Sequence, residues 1–329
     1  MDIVFSGMRP TGRLHLGHMA GALANWVKLQ DDHECYYCIV DWHALMSDYA
    51  DPSKLAVNSR EVLLDWLAVG LDPKKCVIFV QSHVKGHIEL HLALSMITPL
   101  GWLERCPTYK EQILNLQNKD LSTYGFLGYP VLQAADILLY KAGKVPVGED
   151  QAAHLELSRE IARRFNNFYG PIFPEPAMLL THNPKIPGTD NRKMSKSLGN
   201  TLDIADDMSI LEQKIRTMIT DPARERRHDP GDPDKCPVWD LHKFFNPDRP
   251  QMDEIASGCR SAGIGCIDCK KILVEHVTRH MAPIQERRRY FEGRGDELKD
   301  ILSDGARRAR VTAERTMSEV YEALSMPLQ

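Results

Sequence analysis

Residues 3–18 read Ile3-Val4-Phe5-Ser6-Gly7-Met8-Arg9-Pro10-Thr11-Gly12-Arg13-Leu14-His15-Leu16-Gly17-His18. Ile3-Val4-Phe5 predicts a short apolar strand, and a helix begins near His15 or Gly17. The turn between them contains glycine, so its backbone N–H groups can approach a phosphate, and the helix N-terminus favours negative charge. Outward from this unit, strand-like runs at 35–40, 77–80 and 145–147 alternate with helical patterns at 17–30, 54–69 and 88–99. Alternation of this kind predicts an α/β fold, a Rossmann-type parallel sheet wrapped by helices. Such sheets bind nucleotides at the carboxyl edge of their strands. Gly12, His15 and Gly17 fall at that edge after the first strand, and Asp41 and His43 just past the second. Beyond residue 200 the chain reads as helices and loops, with helices at 208–220, 270–281 and 298–323. The expected organisation is a catalytic domain over 1–200 and an all-helical C-terminal domain over 201–329.

The composition, 43% hydrophobic and 26% charged in 329 residues, is that of an ordinary globular protein. No apolar stretch approaches the length of a membrane span, and the start lacks a basic region followed by an apolar run. A cytoplasmic location is expected. The net charge of −4 does not announce a nucleic-acid binder. RNA contact would need local patches such as Arg224-Glu225-Arg226-Arg227, Arg287-Arg288-Arg289 or Arg307-Arg308-Ala309-Arg310. Each, taken alone, reads as a solvated helix face.

Three further segments carry chemistry. Lys193-Met194-Ser195-Lys196-Ser197 places two ammonium groups three residues apart with hydroxyls between and after, which suits a polyphosphate tail. The preceding 187–192 run reads as a mobile loop. In the 129–140 stretch, Tyr129, Gln133, Asp136 and Tyr140 share one face of a helix whose other faces are apolar. Asp136 is then either a buried carboxylate needing a partner or part of a solvated stripe. Gly148-Glu149-Asp150-Gln151 is another strand-to-helix turn, whose acidic pair could cap the helix or meet a ligand.

The eight cysteines fall into two sets. Cys35, Cys38, Cys76 and Cys106 read as buried structural residues, with Cys35 and Cys38 on opposite sides of a strand. Cys236, Cys259, Cys266 and Cys269, spaced C-x22-C-x6-C-x2-C, suggest a metal site, and spacing leaves zinc and an iron–sulfur cluster nearly even.

Taken together, 5–12, 40–44, 134–140, 148–151 and 193–197 resemble bacterial tryptophanyl-tRNA synthetases, class I aminoacyl-tRNA synthetases with HIGH and KMSKS signatures. The resemblance runs from the first residues to the C-terminal helix. Tyrosyl-tRNA synthetases typically have Gly-Ser-Asp-Gln where this chain has Gly148-Glu149-Asp150-Gln151. The resemblance implies that Asp136 accepts the indole N–H of L-tryptophan, with Phe5, Val40, His43, Tyr129, Gln133 and Gln151 lining that pocket. It implies ATP binding by Arg9, Pro10, Thr11, Gly17, His18, Gly148, Glu149, Asp150, Ile186, Met194, Ser195 and Ser197. Lys193 and Lys196, with His15 and His18, would act in catalysis, with Mg²⁺ on the phosphates. The cysteine pattern resembles a subgroup with a [4Fe–4S] cluster, a structural one in this reading, with Lys270 and Lys271 beside it touching phosphates. A helical anticodon-binding domain, tRNA(Trp) as partner and a homodimer are further implications. The competing readings are a tyrosine-activating sister enzyme, a non-enzymatic iron–sulfur RNA-binding protein on the same fold, and a small-metabolite nucleotidylyltransferase.

Overall fold

The computed structural model describes residues 2–107, 109, 121–148, 151–180 and 186–326. Five parallel strands, β1 (Ile3–Met8), β2 (Glu34–Ile39), β3 (Val77–Val80), β4 (Lys144–Val147) and β5 (Ala177–Leu180), form one sheet in the order β3-β2-β1-β4-β5. β1 and β2 are in register from Ile3 opposite Glu34 to Met8 opposite Ile39. The order reverses at β1, so β2 and β4 leave a crevice beyond its carboxyl end.

Parallel strands are covered on both faces, and successive residues divide between two cores. Val4, Cys35, Tyr37, Ile39, Ile78 and Val80 face one core. Phe5, Tyr36, Cys38, Val77, Phe79 and Val145 face the other. Cys35 and Cys38 do take opposite sides. Four of the five strands match the expected runs. β5 is the addition: Pro171, Pro174 and Pro176 precede it, and its Ala-Met-Leu-Leu lacks the β-branched residues that mark a strand.

Among the described residues no strand follows β5. The helices there are Met208–Thr217, Pro237–Phe245, Arg249–Arg260, Cys266–Glu292 and Gly295–Ala323. The second and third escaped the sequence reading because each is short and starts with proline near its first turn. Pro250 is tolerated there, and the Asp248 side chain caps the third helix by accepting from the Gln251 N–H at 3.1 Å.

These helices close the cores of the sheet. Leu273, Val277, Met281 and Ile284 of the Cys266–Glu292 helix pack into the first core. Ala306, Ala309, Ala313, Met317 and Val320 of the last helix pack into the second. The last helix lies against β3, and a Cβ added at Gly305 would stand 1.8 Å from the Ile78 carbonyl oxygen. Tyr36 and Thr312 hydroxyls meet at 2.9 Å across the same interface. Among the described residues no helix is long and apolar enough to cross a membrane.

Gly305→Ala is expected to lower the unfolding free energy by about 3 kcal/mol, the upper range for overpacking, because backbone on both sides must separate. Urea unfolding checks this; an unchanged midpoint would refute the close approach.

Candidate active site

Asp136 sits on the Tyr129–Leu139 helix and is 2% exposed. Its carboxylate can only accept, so every neighbour donates. Gln81 Nε2 and His87 Nδ1 reach Oδ1, each at 2.7 Å, and His43 Nε2 reaches Oδ2 at 2.9 Å. The other ring nitrogen of His87, Nε2, meets the Tyr140 hydroxyl at 2.8 Å. Burial pushes the Asp136 pKa up, but the bonds from His43 and His87 outweigh it and bring it down to about 2. The donors come from the ends of β2 and β3 and from the Gly86–Ser95 helix.

The other residues expected to line the pocket fall into two groups. Phe5 and Val40 are buried on the same core face, and Phe5 stacks on Tyr140 with centroids 5.5 Å apart. Tyr129 OH meets His154 Nε2 at 2.8 Å, and His154 Nδ1 meets Gln151 Oε1 at 3.0 Å. That chain ties two expected pocket residues together through a histidine the sequence reading did not use. Gln133 is half-buried one turn from Tyr129 and Asp136. Gly148 accepts the Gln151 N–H at 3.0 Å. Glu149 and Asp150 lie outside the described residues.

The second half of the site joins the first turn to the lysine segment. Gly12 has φ +106°, and a Cβ there would stand 3.3 Å from Lys196 Nζ. Lys196 donates to the Thr11 carbonyl at 2.8 Å. His15 and His18 rings stack at 3.8 Å, with Gly17 so close that a Cβ would touch the His15 ring at 3.0 Å. Burial first, then Lys196 and Lys193 nearby, lowers the His15 pKa to about 4. Burial, His15 and the same two lysines lower that of His18 to about 3. Both rings are therefore neutral at pH 7. Arg9 and Thr11 are exposed beside them, and Pro10 is buried.

Met194 and Ile186 are core residues, which anchors the lysine segment while Lys193 and Lys196 stay exposed. Asn200 organises the turn before it. Its Oδ1 accepts the Ser195 N–H at 2.8 Å, and its Nδ2 donates to Asp190 at 2.7 Å and to the Lys193 carbonyl at 3.1 Å. Ser195 and Ser197 hydroxyls meet at 2.8 Å. The 187–192 run expected to be mobile is held here as a hydrogen-bonded turn. The chain after it pairs with the first loop: Leu16 N–H donates to Leu202 O, and Ile204 N–H to Leu14 O, both at 2.8 Å.

The four spaced cysteines converge. Burial first, then Cys236, Cys259 and Cys266 beside it, pushes the Cys269 thiol up to about 12. Gly231 is required where it stands, since a Cβ would be 2.9 Å from Cys259 Sγ. Among the described residues no three His, Cys, Asp or Glu side chains form a group that could hold a single metal ion.

A profile of class I tRNA synthetases (W and Y) matches residues 2–282. The tryptophan–tRNA ligase of Thermotoga maritima is 53% identical over 324 residues, spanning 98% of this chain and 99% of the relative. The chain belongs to the tryptophan–tRNA ligase family. The Aquifex aeolicus member is 45% identical, covering 98% of this chain and all of its own. A solved tryptophanyl-tRNA synthetase from Campylobacter jejuni, complexed with ADP and tryptophan, aligns with TM-score 0.89 at 35% identity, covering 98% of this chain and 100% of that one.

Two expectations need correction. Lys270 is 8% exposed, and its ammonium donates to the carbonyls of Arg216 and Met218, so it fastens two helices and is not free for phosphate. The arginine patches are not simply solvated. Arg224 and Arg288 are buried, and Arg308 donates to the Pro73 carbonyl at 2.8 Å. Gln81 and His87 were missed because their partner is distant in sequence; their only local signal is a place at the carboxyl edge of β3.

His87→Phe removes a donor from an ionised, buried acceptor and is expected to cost about 1.5–3 kcal/mol of unfolding free energy at pH 7. Asp136 titrates near 2 when folded against an ordinary 3.8, so ionisation stabilises the fold fully above about pH 4 and not below about 2. The gap between wild type and variant should close as pH falls through that window. Urea unfolding across pH measures it.

Proposed function

We infer that the chain activates L-tryptophan with ATP to tryptophanyl-adenylate and pyrophosphate, then transfers tryptophan to the 3′-terminal adenosine of tRNA(Trp). The observation that carries this reading is the buried, ionised Asp136, held by three side-chain donors near the carboxyl edge of the sheet. A carboxylate held by Gln81, His43 and His87 keeps remaining lone-pair capacity for one N–H, which the indole ring supplies. Phenylalanine offers no such donor, so the pocket discriminates without an editing domain. Tyr129, Gln133 and Gln151 complete the wall, with His154 fixing Tyr129 and Gln151.

ATP, entering with Mg²⁺ on its phosphates, lies along Arg9, Pro10, Thr11, Gly17 and His18, with Gly148, Glu149 and Asp150 and the segment around Ile186 and Met194 opposite. A tryptophan carboxylate oxygen attacks the α-phosphorus, the bond to the bridging oxygen breaks, and pyrophosphate leaves with that electron pair. The protein supplies positioning and charge and no covalent nucleophile. Lys193 and Lys196 neutralise the departing phosphates, with Ser195 and Ser197 as hydroxyl donors. Neutral His15 and His18 can hydrogen-bond phosphate oxygens without carrying charge of their own. In the second step the terminal 2′-hydroxyl of the tRNA attacks the adenylate carbonyl and AMP departs.

In this reading residues 1–200 carry the chemistry and 201–329 meet the anticodon, the last helix returning to brace β3. Cys236, Cys259, Cys266 and Cys269 would hold a [4Fe–4S] cluster. Four converging thiols raise one another's pKa, a cost that a bound cationic centre reverses by taking them as thiolates. The cluster would fix the loop between the Arg249–Arg260 and Cys266–Glu292 helices. The exposed stripe Ile88, Leu92, Met96 and Leu100 supports a homodimer; a monomer in sedimentation would overturn that. tRNA charging places the enzyme in the cytoplasm.

ATP–pyrophosphate exchange with tryptophan, tyrosine and phenylalanine side by side tests the whole reading. Exchange with tryptophan alone is expected, and exchange with tyrosine would move the chain to the sister specificity. Lys196→Ala should cost roughly 3 kcal/mol in activation, by analogy with loss of one transition-state donor. For the cluster, anaerobically purified protein should carry iron and sulfide that Cys266→Ser loses, together with thermal stability and tRNA affinity. Iron-free protein with both unchanged would remove its structural role.

A further inference from the structure

We propose that Glu61, Asp65 and Arg288 are positioning residues for the first loop, and that through them the Cys266–Glu292 helix sets the geometry of the ATP site. The proposal rests on reading the Arg9–His18 segment as that site.

Glu61 and Asp65 lie one turn apart on the Leu55–Val69 helix and so share a face. Each holds one residue of the loop. Asp65, wholly buried, accepts the Leu14 N–H at 2.7 Å, and Glu61 accepts Arg13 Nε at 3.0 Å. On their other side stands Arg288, 3% exposed, near the end of the long helix that begins at Cys266. Its guanidinium reaches Glu61 at 2.6 Å and Asp65 at 3.4 Å. A single buried guanidinium thus bridges the two acids that hold consecutive loop residues, hydrogen-bonded to Glu61 and in ion-pair range of Asp65. Burial pushes the Asp65 pKa up to about 7 against the pull of Arg288.

The arrangement is costly as a means of mere cohesion. Apolar packing would join two helices at least as well, because buried ions lose their hydration. Charge here does something packing cannot: it gives the Leu14 N–H a directed acceptor at a fixed place. The loop is held from its other side by residues 202–204, immediately after the lysine segment. Burial lowers the Lys196 pKa, and the charges of Asp203 and then Asp65 oppose that shift, so Asp65 lies within electrostatic reach of the lysine. Moving Asp65 therefore shifts the first loop against the lysines that face it, and a misplacement of about 1 Å can cost on the order of a hundredfold in rate. The Asp136 pocket shares none of these residues.

The test is pyrophosphate exchange with full-length Arg288→Met, Arg288→Lys and Asp65→Asn, alongside equilibrium dialysis of tryptophan. Arg288→Met should raise the KM for ATP about tenfold or more while tryptophan affinity stays within about twofold. Arg288→Lys, which keeps the charge, should recover part of the loss. Equal loss for both substrates, or a folded Asp65→Asn and Arg288→Met with unchanged ATP KM, would overturn the proposal. If Arg288→Met fails to fold, Glu61→Gln asks the same question from the more exposed edge of the triad, with the same two outcomes. Arg9→Ala separates the underlying reading. If it leaves the ATP KM unchanged, the nucleotide site is misplaced; if it raises the KM while Arg288→Met does not, only the positioning role is lost.

Discussion

An ionised carboxylate almost out of contact with water can exist only if its oxygens are met by donors, and Asp136 imposes that demand on half of the sheet. His43 must follow β2, Gln81 must follow β3, and His87 must begin the next helix at a fixed angle. Tyr140, which closes the chain of hydrogen bonds, also stacks against Phe5 and Tyr36. The polar centre and the apolar core are thus one assembly. The hydrogen bonds of Asp136 are in place without any ligand to organise them.

The part that joins the first turn to the lysine segment is built differently. Its residues lie on loops, and their order comes from backbone pairing between segments nearly two hundred residues apart, with Leu14 and Leu16 set against Leu202 and Ile204. Asn200 fixes the turn before it, and Gly188 must be glycine because a Cβ would lie 2.4 Å from the Asn200 amide. Lys193 and Lys196 project from a framework rooted in the core by Met194. Charge carried on an anchored base suits a reaction that handles phosphates.

How much of this was legible depended on whether a signal was local. The first strand and turn, the lysine segment and the lone acid in an apolar helix each declare themselves within a dozen residues. Whether Asp136 was solvated or buried was open, and only the packing of the Gly86–Ser95 helix against it closes the question. Lys270 read as a free cation because its partners, the carbonyls of Arg216 and Met218, end another helix. Arg288 sat inside a basic run that looked like a solvated face, though the middle arginine is the buried one. β5 was hidden by its prolines and its lack of branched residues. For Asp136, Lys270 and Arg288 the missing information was a tertiary neighbour.

The contact of Gly305 with Ile78 has a temporal consequence. A chain emerging from the ribosome exposes β3 more than two hundred residues before the helix that covers it. Until then the β3 edge of that face lacks the helix that covers it, and the nascent protein presents apolar strand surface there that later synthesis must hide. The cover of β3 is thus tied to the synthesis of residues 295–323. The enzyme that supplies translation with an amino acid must itself be translated through Ala323 before that edge of its core is finished.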